Sequence, residues 1–214
     1  MFEYRNCCVE FGAEFGVCIG SIGATRALCQ VTASLDRPSE TRPNEGRVLF
    51  RIELPPIASP SFELGKNSSF AIELNRLLEQ AIVKSRCVDV EELCVRSGER
   101  CWTLRVDVTA LNNEGNLSDT LCLAAIGALM HFRRPEVTVD GTEVTVHSEE
   151  DRAPVKLTLH HKPFTITIGY CDKDGNKYFI LDPTRKEEQI LDGSIQVALN
   201  KHREVHIQPL PVFL

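Results

Sequence analysis

The sequence contains no apolar run long enough to cross a membrane and no export signal. Its longest uninterrupted run of apolar or small residues is 121–130, whereas a membrane-spanning helix needs about 20 apolar residues. The opening MFEYRNCC has no basic segment followed by an apolar stretch, so it lacks the pattern of a secretory signal peptide. These absences predict a cytosolic or nuclear setting.

The chain also lacks an excess of basic residues. It has 24 Lys and Arg against 30 Asp and Glu, which gives a net charge of −6 at pH 7 over 214 residues. A protein that binds nucleic acid over its whole surface is typically basic, so this balance restricts any such contact to a local strip. The apolar fraction of 43% is ordinary for a globular chain with a core. It excludes a disordered or fibrous protein.

No pair of cysteines has the C-x-x-C spacing of a zinc ribbon, and the nine cysteines are an odd number, which does not fit a complete disulfide framework. We therefore expect reduced thiols, most of them in the core. Neither histidine pair, His160 with His161 or His202 with His206, has a cysteine or carboxylate at metal-ligand spacing. The glycine-rich stretch GSIGATR at 20–26 fits no phosphate-binding motif and is interpreted as tight turns.

The first part of the chain alternates predicted strands with two predicted helices. Period-two alternation of apolar residues predicts strands within 7–34 and at 48–54, 92–96 and 101–111. Helical spacing predicts an amphipathic helix at 70–84, capped by Ser68 or Ser69. A second helix, rich in alanine and glycine and therefore buried, is predicted to be capped by Ser118 or Asp119 and to continue to residue 130.

The rest of the chain repeats the strands without closing helices. Strands are predicted at 137–139, 144–146, 155–159, 164–170, 178–181 and 195–199, with a short helix at 184–191. The order predicts an α+β fold that uses a sheet-and-helix unit nearly twice, with the second half incomplete. We place the first half at 1–134 and the second at 135–214. The uncovered second sheet is expected to be closed by a partner or to make the isolated chain prone to aggregation.

An acidic cluster is the first group of candidate functional residues. Asp182, Glu187, Glu188 and Asp192 lie where a predicted strand ends and a short helix begins. Carboxylates placed in this way fit a Mg²⁺ site for phosphoryl chemistry. A solvated acidic first helical turn, which the helix dipole favours, is the simpler explanation. The spacing alone leaves both interpretations open.

Four stretches carry a family resemblance. They are GATRALCQV at 23–31, FELGKNSSFAIELNRLLEQAI at 62–82, the segment 89–137 around RSGERCWTLRVDVTALNNEG, and ILDPTRKEEQILDGSIQVALNKHRE at 180–204. Together they resemble the ribonuclease PH family, and within it the ring subunits of the eukaryotic RNA exosome. The resemblance covers almost the whole chain, although relatives continue beyond both of its ends, so a shortened form is expected.

The resemblance implies a duplicated β-α fold and a place in a six-membered ring of ribonuclease PH-like subunits. The implied partners are the other ring subunits, cap subunits, an associated nuclease and the single-stranded RNA that passes through the ring. No membrane partner, no metal and no cofactor are expected. The implied location is the nucleus, nucleolus and cytoplasm.

The resemblance also implies that the acidic cluster is a degenerate metal-site remnant. Active members of the family hold a metal ion with an Asp that is followed five and six residues later by a Glu-Asp pair. Asp182 and Glu187 match this pattern, but Glu188 replaces the second Asp, and Pro183 follows Asp182 directly.

Two further departures affect substrate binding. Gln80 occupies the position of a basic residue that follows Arg76 in the active pattern, and prolines stand after residue 206 where a phosphate loop is expected. No catalytic residue is therefore expected. The implied function is that of a non-catalytic exosome ring subunit that supports 3′-to-5′ RNA processing and decay, including rRNA maturation and mRNA turnover, by assembly and RNA threading. An active phosphorolytic 3′-5′ exoribonuclease and an α+β protein-interaction domain are the alternatives.

Three arginines are the candidate RNA-binding residues: Arg105, and more weakly Arg76 and Arg100. The alternation of the predicted strand at 101–111 places Arg105 and Asp107 together on its polar face. That face is expected to meet solvent, a channel or a neighbouring chain. The alternative is an intrachain ion pair between Arg105 and Asp107, which contributes little when exposed.

Overall fold

The computed structural model describes residues 5–63, 69–141, 143–148, 150–173, 175–201 and 205–210, the last of these as backbone only. Within these residues the chain forms two main β-sheets, and a long helix contacts both. This arrangement confirms the predicted α+β fold. None of the helices in the described ranges has the length and apolar character that crossing a bilayer requires.

The first sheet has six strands. They are β1 (Cys7–Phe11), β2 (Val17–Ile22), β3 (Thr25–Asp36), β4 (Arg47–Glu53), β5 (Cys94–Arg96) and β6 (Arg100–Asn112). The spatial order is β1-β2-β3-β6-β4, and β5 pairs with the beginning of β6. Only the pair of β4 with β6 is parallel among these neighbours. The central strand β6 therefore has β3 along one side and β4 and β5 along the other.

The strand predicted at 92–96 is shorter in the structure, because β5 begins only at Cys94. Asp89 explains the difference. Its Oδ1 accepts hydrogen bonds from the backbone N–H groups of Glu91 and Glu92, each at 3.1 Å. A side-chain acceptor of this kind closes a local turn and so competes with strand pairing.

The amphipathic helix predicted at 70–84 is present as α1 (Ser69–Leu78), continued by a π-helical segment (Glu79–Lys84). Its apolar stripe packs into the core through Leu74, Leu77, Leu78, Ala81 and Ile82. Sequence periodicity does not distinguish the wider π-helical turns from α-helical ones. The predicted cap at Ser68 lies outside the described residues.

The second helix, α2 (Leu117–His131), is not capped by Ser118 or Asp119 as predicted. Its N-cap is Asn116, which adopts a left-handed conformation with φ +53° and gives no side-chain cap. Ser118 and Asp119 lie inside the helix because their side chains turn towards the second sheet instead. The expectation of a helix buried on nearly all sides is confirmed, since Met130 is its only exposed residue.

Small residues allow α2 to lie close to the first sheet. A Cβ atom added to Gly20 of β2 would lie 2.8 Å from the backbone nitrogen of Ala124. That distance is below normal contact, so the close approach of the helix requires a glycine at this position of β2. The alanine-rich composition of α2 is thus a consequence of its two-sided burial.

A smaller pair of ladders connects the two main sheets. β7 (Arg133–Arg134) pairs with β10 (Val155–Lys156), and β8 (Val137–Asp140) forms a hairpin with β9 (Glu143–Val146). The strand predicted at 155–159 is therefore shortened to two residues, and Leu159 makes only an isolated bridge to Val88.

The second sheet contains β11 (Phe164–Lys173), β12 (Asn176–Leu181), β13 (Gly193–Leu199) and β14 (Val205–Leu210). All neighbours are antiparallel, in the order β12-β11-β13-β14. The register places Phe179 and Leu181 on the same face as Ile168, and they are 67% and 46% exposed. This apolar outer face fits the expected open second sheet, and such a surface is suited to contact with another protein chain.

The carboxylate of Asp119 joins α2 to the second sheet. Its Oδ2 accepts a hydrogen bond from the backbone N–H of Thr167 at 2.8 Å. Its Oδ1 accepts from the Thr167 hydroxyl at 3.0 Å and from Gln196 Nε2 at 3.1 Å. All three residues are buried, so these donors replace the water that the carboxylate loses on folding.

We predict that Asp119→Ala lowers the free energy of unfolding by about 2–3 kcal/mol, because it leaves buried donors on Thr167 and Gln196 without an acceptor. Urea denaturation followed by circular dichroism measures the change. Asp140→Ala, which removes an exposed carboxylate, is the control and is expected to stay within about 0.5 kcal/mol of the parent protein. Equal stability of the two variants would contradict the structural role of Asp119.

Candidate RNA-binding surface and remnant metal site

Asp182 lies directly after β12 in a left-handed conformation with φ +54°, and the side chain of Arg5 holds its carboxylate. Arg5 Nε donates a hydrogen bond to Asp182 Oδ2 at 2.7 Å, and Arg5 Nη2 donates to Oδ1. Asn116 Nδ2 donates to Oδ1 at 2.6 Å. Arg5 and Asp182 therefore form a two-pronged ion pair, the arrangement in which a guanidinium binds a carboxylate most strongly.

The same contacts determine the ionisation of Asp182. Burial favours the neutral carboxyl group, but the hydrogen bonds from Arg5 and Asn116 and the charge of Arg5 outweigh it, so the pKa of Asp182 lies below its ordinary value. The carboxylate is therefore ionised at neutral pH, and its charge is balanced by Arg5.

Arg5 also connects two loops from different parts of the chain. Its Nη1 lies 3.3 Å from the carbonyl oxygen of Glu114 and 3.4 Å from that of Gly115, in the loop before α2. Its Nη2 lies 3.5 Å from the carbonyl oxygen of Pro183, in the loop after β12. Most of the guanidinium donors are thus used within the protein.

Glu187 serves the helix that follows rather than a shared site. The predicted helix at 184–191 is present in shorter form as α3 (Arg185–Glu188), with Thr184 as its N-cap. Glu187 Oε2 accepts from the backbone N–H of Thr184 at 2.8 Å and from its hydroxyl at 2.7 Å. These two hydrogen bonds lower the pKa of Glu187. The bond from the Thr184 backbone N–H, together with the Thr184 side chain accepting from the Glu187 backbone N–H, forms a capping box.

Glu188 faces the loop before α2. Its Oε1 accepts a hydrogen bond from the backbone N–H of Asn116 at 2.7 Å, yet burial raises the pKa of the Glu188 carboxyl above its ordinary value. Asn116 thus binds both Asp182, through its side chain, and Glu188, through its backbone N–H, whereas Glu187 is bound to Thr184. In the described part of the chain, no group of three or more His, Cys, Asp or Glu residues is placed to hold a metal ion. Asp192, the fourth member of the acidic cluster, accepts from the backbone N–H of Asp172 at 2.6 Å.

Arg105 lies on the outer face of β6, turned away from the helices. Its neighbours across the sheet are Thr32 on β3 and Leu49 on β4, and all three are exposed. Among the residues that the structure describes, none forms an ion pair with Arg105, so the alternative pairing with Asp107 is not present. The guanidinium is available to a ligand from solvent.

Three further arginines share this surface with Arg105: Arg26 on β3, and Arg47 and Arg51 on β4. We call the surface that these four residues form the arginine face. Arg26 lies 3.7 Å from Glu10, and Arg51 lies 2.9 Å from Glu53. Arg47 donates to the carbonyl oxygen of Arg37. Sequence analysis missed Arg26, Arg47 and Arg51, because period-two alternation gives the face of each strand but not which strands are neighbours.

The other two arginine candidates lie elsewhere. Arg76 is on α1, on the helix side of the sheet, and its Nε donates to Glu73 at 3.1 Å. Arg100 begins β6 and lines a surface pocket with Leu35, Glu99, Glu143 and Val144. The structure therefore does not bring Arg76, Arg100 and Arg105 together at one site.

Comparison with known proteins gives a consistent assignment. Residues 3–135 match domain 1 of the 3′ exoribonuclease (RNase PH) family, and residues 161–208 match domain 2. The chain belongs to the 3′ exoribonuclease family. This match confirms the resemblance found in the sequence.

The relatives are exosome components. Exosome complex component RRP45 of Danio rerio is 44% identical over 204 residues, which cover 95% of this chain and 51% of that protein. Exosome complex component rrp45 of Schizosaccharomyces pombe is 41% identical over 203 residues, which cover 95% of this chain and 69% of that protein. The chain thus spans about half the length of the vertebrate relatives that it matches.

The fold is that of chains from archaeal exosomes. A chain from the Archaeoglobus fulgidus exosome with RNA bound to the active site superposes with a TM-score of 0.83 at 28% identity, covering 99% of this chain and 80% of that chain. A chain of an archaeal exosome core superposes with a TM-score of 0.77 at 24% identity, covering 99% of this chain and 77% of that chain. These likenesses confirm the predicted ribonuclease PH-like fold.

We predict that Asp182→Asn lowers the free energy of unfolding by about 1–3 kcal/mol at pH 7, because it removes the charged acceptor of Arg5. The pKa of Asp182 is depressed in the folded state, so its stabilising contribution is present above the unfolded pKa of about 3.9 and is lost as pH falls through the folded value. The difference between parent and variant is therefore expected to shrink below about pH 4.

Thermal and urea unfolding between pH 3 and pH 8 provide the measurement. Glu10→Gln, which alters an exposed and longer ion pair with Arg26, is the control and is expected to have little effect. A stability difference for Asp182→Asn that does not change with pH would show that the charge of Asp182 is not responsible.

Proposed function

We propose that this chain is a non-catalytic ring subunit of the RNA exosome core. In this role it supports 3′-to-5′ RNA processing and decay by assembling with other ribonuclease PH-like subunits and by guiding single-stranded RNA. The observation that carries the proposal is the guanidinium of Arg5 on the carboxylate of Asp182. The names of the relatives, exosome complex component RRP45, support the assembly part of the proposal.

The chemistry of that ion pair supports the proposed absence of catalysis. Metal-assisted phosphoryl transfer requires a cation with open coordination positions, which bind phosphoryl oxygens and stabilise their developing charge. The guanidinium of Arg5 balances the charge of Asp182, while its remaining donors face the carbonyl groups of Glu114, Gly115 and Pro183. Glu187 and Glu188 are bound to Thr184 and Asn116 and do not supply replacement ligands.

Assembly is supported by the exposed apolar face of the second sheet. Phe164, Phe179 and Leu181 present aromatic and aliphatic surface on that face, and burying it against another chain is favourable. The proposed partners are the other subunits of a six-membered ring, together with cap subunits and an associated nuclease. The proposed location is the nucleus, nucleolus and cytoplasm, and the free cysteines agree with a reducing compartment.

The arginine face is the proposed RNA contact, and Arg105 is its principal residue. Arg26, Arg47 and Arg51 each have an intrachain partner, whereas Arg105 is exposed without one among the described residues. A guanidinium that contacts phosphate gives affinity without sequence preference, as a channel for diverse RNAs requires. A face with a few arginines is also compatible with the net charge of −6.

We predict that a ring reconstituted with this chain gains no phosphate-dependent nuclease activity from it. RNA, inorganic phosphate and Mg²⁺ are incubated with the ring, and nucleoside diphosphates are measured. No release is expected, and native mass spectrometry is expected to show the chain in a six-membered assembly. Phosphate-dependent release that disappears in Asp182→Asn would instead establish the active-exoribonuclease alternative. Failure to join any ring would favour the protein-interaction alternative.

We predict that Arg105→Glu weakens the binding of single-stranded RNA by the assembled ring, because it replaces a phosphate contact with a repulsive charge. The salt dependence of binding is expected to lose about one unit of slope. Arg152→Glu, which changes the same charge in the second half, is the control, and native mass spectrometry confirms that both variants assemble. Unchanged RNA affinity and unchanged length of protected RNA in Arg105→Glu would contradict the role of Arg105.

A further inference from the structure

Two cysteines lie directly opposite each other at the edge of the first sheet. Cys94 on β5 and Cys101 on β6 are paired residues in an antiparallel ladder, and both thiols are free. The backbone N–H of Trp102 donates to the carbonyl oxygen of Leu93 at 2.8 Å. Because hydrogen-bonded and non-hydrogen-bonded pairs alternate along such a ladder, Cys94 and Cys101 form a non-hydrogen-bonded pair.

That position suits a disulfide bond. Cα atoms of a non-hydrogen-bonded pair are about 4.5 Å apart, and their side chains lie on the same face of the sheet. A disulfide joins Cα atoms that are about 4.4–6.8 Å apart. Cys94 and Cys101 therefore occupy a pairing position whose ordinary Cα separation a disulfide accepts, and the register of the ladder shifts only beyond Cys94, before Arg96.

The two thiols differ in their access to solvent. Cys101 is fully buried, whereas Cys94 is partly exposed, with its Sγ 3.9 Å from the carbonyl oxygen of Pro43. Burial raises the pKa of the Cys101 thiol, and the guanidinium of Arg47 beside it acts in the opposite direction. An oxidant in solution therefore reaches Cys94 first, and the buried Cys101 thiol reacts only afterwards.

A second pair of facing cysteines in the same chain is inaccessible to solvent. Cys18 on β2 and Cys29 on β3 are also paired residues, but both are fully buried beneath α2. The hydrogen bond from Val31 N–H to the Gly16 carbonyl oxygen places Cys18 and Cys29 in a hydrogen-bonded pair, where the side chains lie farther apart. Burial raises the pKa of the Cys18 thiol to about 11. This pair is an internal control for inaccessible thiols.

We propose that Cys94 and Cys101 are a reversible redox modification site that closes a cross-strand disulfide when the protein meets a peroxide. The Cys94 sulfur attacks one peroxide oxygen, the O–O bond breaks, and Cys94 becomes a sulfenic acid as water leaves. The Cys101 sulfur then attacks the Cys94 sulfur, the S–O bond breaks, and a second water leaves. Both thiols are oxidised and hydrogen peroxide is reduced, so the atoms and electrons balance.

The bond would have a local structural effect. It would tie β5 to β6 and close the exposed turn formed by Ser97, Gly98 and Glu99, which separates the two strands. In a reducing compartment such a bond is transient, because cellular thiols reduce accessible disulfides. The site is thus suited to sensing oxidation rather than to permanent stabilisation. The proposal does not depend on RNA binding or on ring assembly.

The test uses the full chain in its reduced, native state. It is treated with hydrogen peroxide, free thiols are blocked with an alkylating reagent, and peptides are mapped by mass spectrometry. We expect a cross-linked peptide pair containing Cys94 and Cys101, lighter by two hydrogen atoms than the separate peptides, and its loss after treatment with dithiothreitol. Cys18 and Cys29 are expected to remain thiols unless the protein is unfolded.

Variants identify the bond. Cys94→Ser, at a partly exposed position, is expected to abolish the cross-link and leave Cys101 as a thiol, whereas Cys7→Ser, at an exposed position in β1, is expected to leave the cross-link unchanged. Oxidation of Cys94 to sulfinic acid with Cys101 still reduced would overturn the proposal. So would a disulfide between Cys94 and any other cysteine, or an unreacted Cys94. The three contradicting outcomes are measured on the parent protein, so they do not depend on whether a variant of the buried Cys101 folds.

Discussion

The buried carboxylate of Asp119 is the constraint on which the relation between the two sheets depends. A carboxylate in the core requires donors that replace water, and the backbone of Thr167 and the side chain of Gln196 supply them from the second sheet. This requirement fixes one face of α2 against that sheet. The opposite face must then meet the first sheet at short range, which explains why Gly20 and Ala124 have almost no side chain at their contact.

The ion pair of Arg5 and Asp182 is a second connection between distant parts of the chain. Asp182 follows β12 in the second sheet, Asn116 precedes α2, and Arg5 reaches both from the beginning of the described chain. A bound metal ion in this place would offer exchangeable coordination positions, whereas a guanidinium offers donors that the surrounding carbonyl groups already occupy. The Arg5–Asp182 pair therefore connects chain segments that are far apart in the sequence.

Much of the fold was predictable from the sequence, because alternation and helical spacing report which face of each element is buried. The strands of the first sheet, the extent of α1 with its π-helical segment, and the burial of α2 follow from these periods. The start of α2 at Asn116 was missed because Asp119, a residue type that favours N-cap positions, has a tertiary partner instead. The contact of Arg5 with Asp182 joins residues that are 177 positions apart, and no local pattern reports such a pair.

The number of arginines and the net charge do not by themselves locate the candidate RNA surface. The intrachain partner of each arginine has to be considered as well. A chain with a charge of −6 concentrates four arginines on one sheet face, yet three of them are already bound to partners within the chain. A phosphate must displace such a partner before it gains a contact, and that displacement offsets much of the binding energy. Arg105 has no ion-pair partner among the described residues that a phosphate would have to displace. The free guanidinium, rather than the number of arginines, therefore determines where this face binds a polyanion most readily.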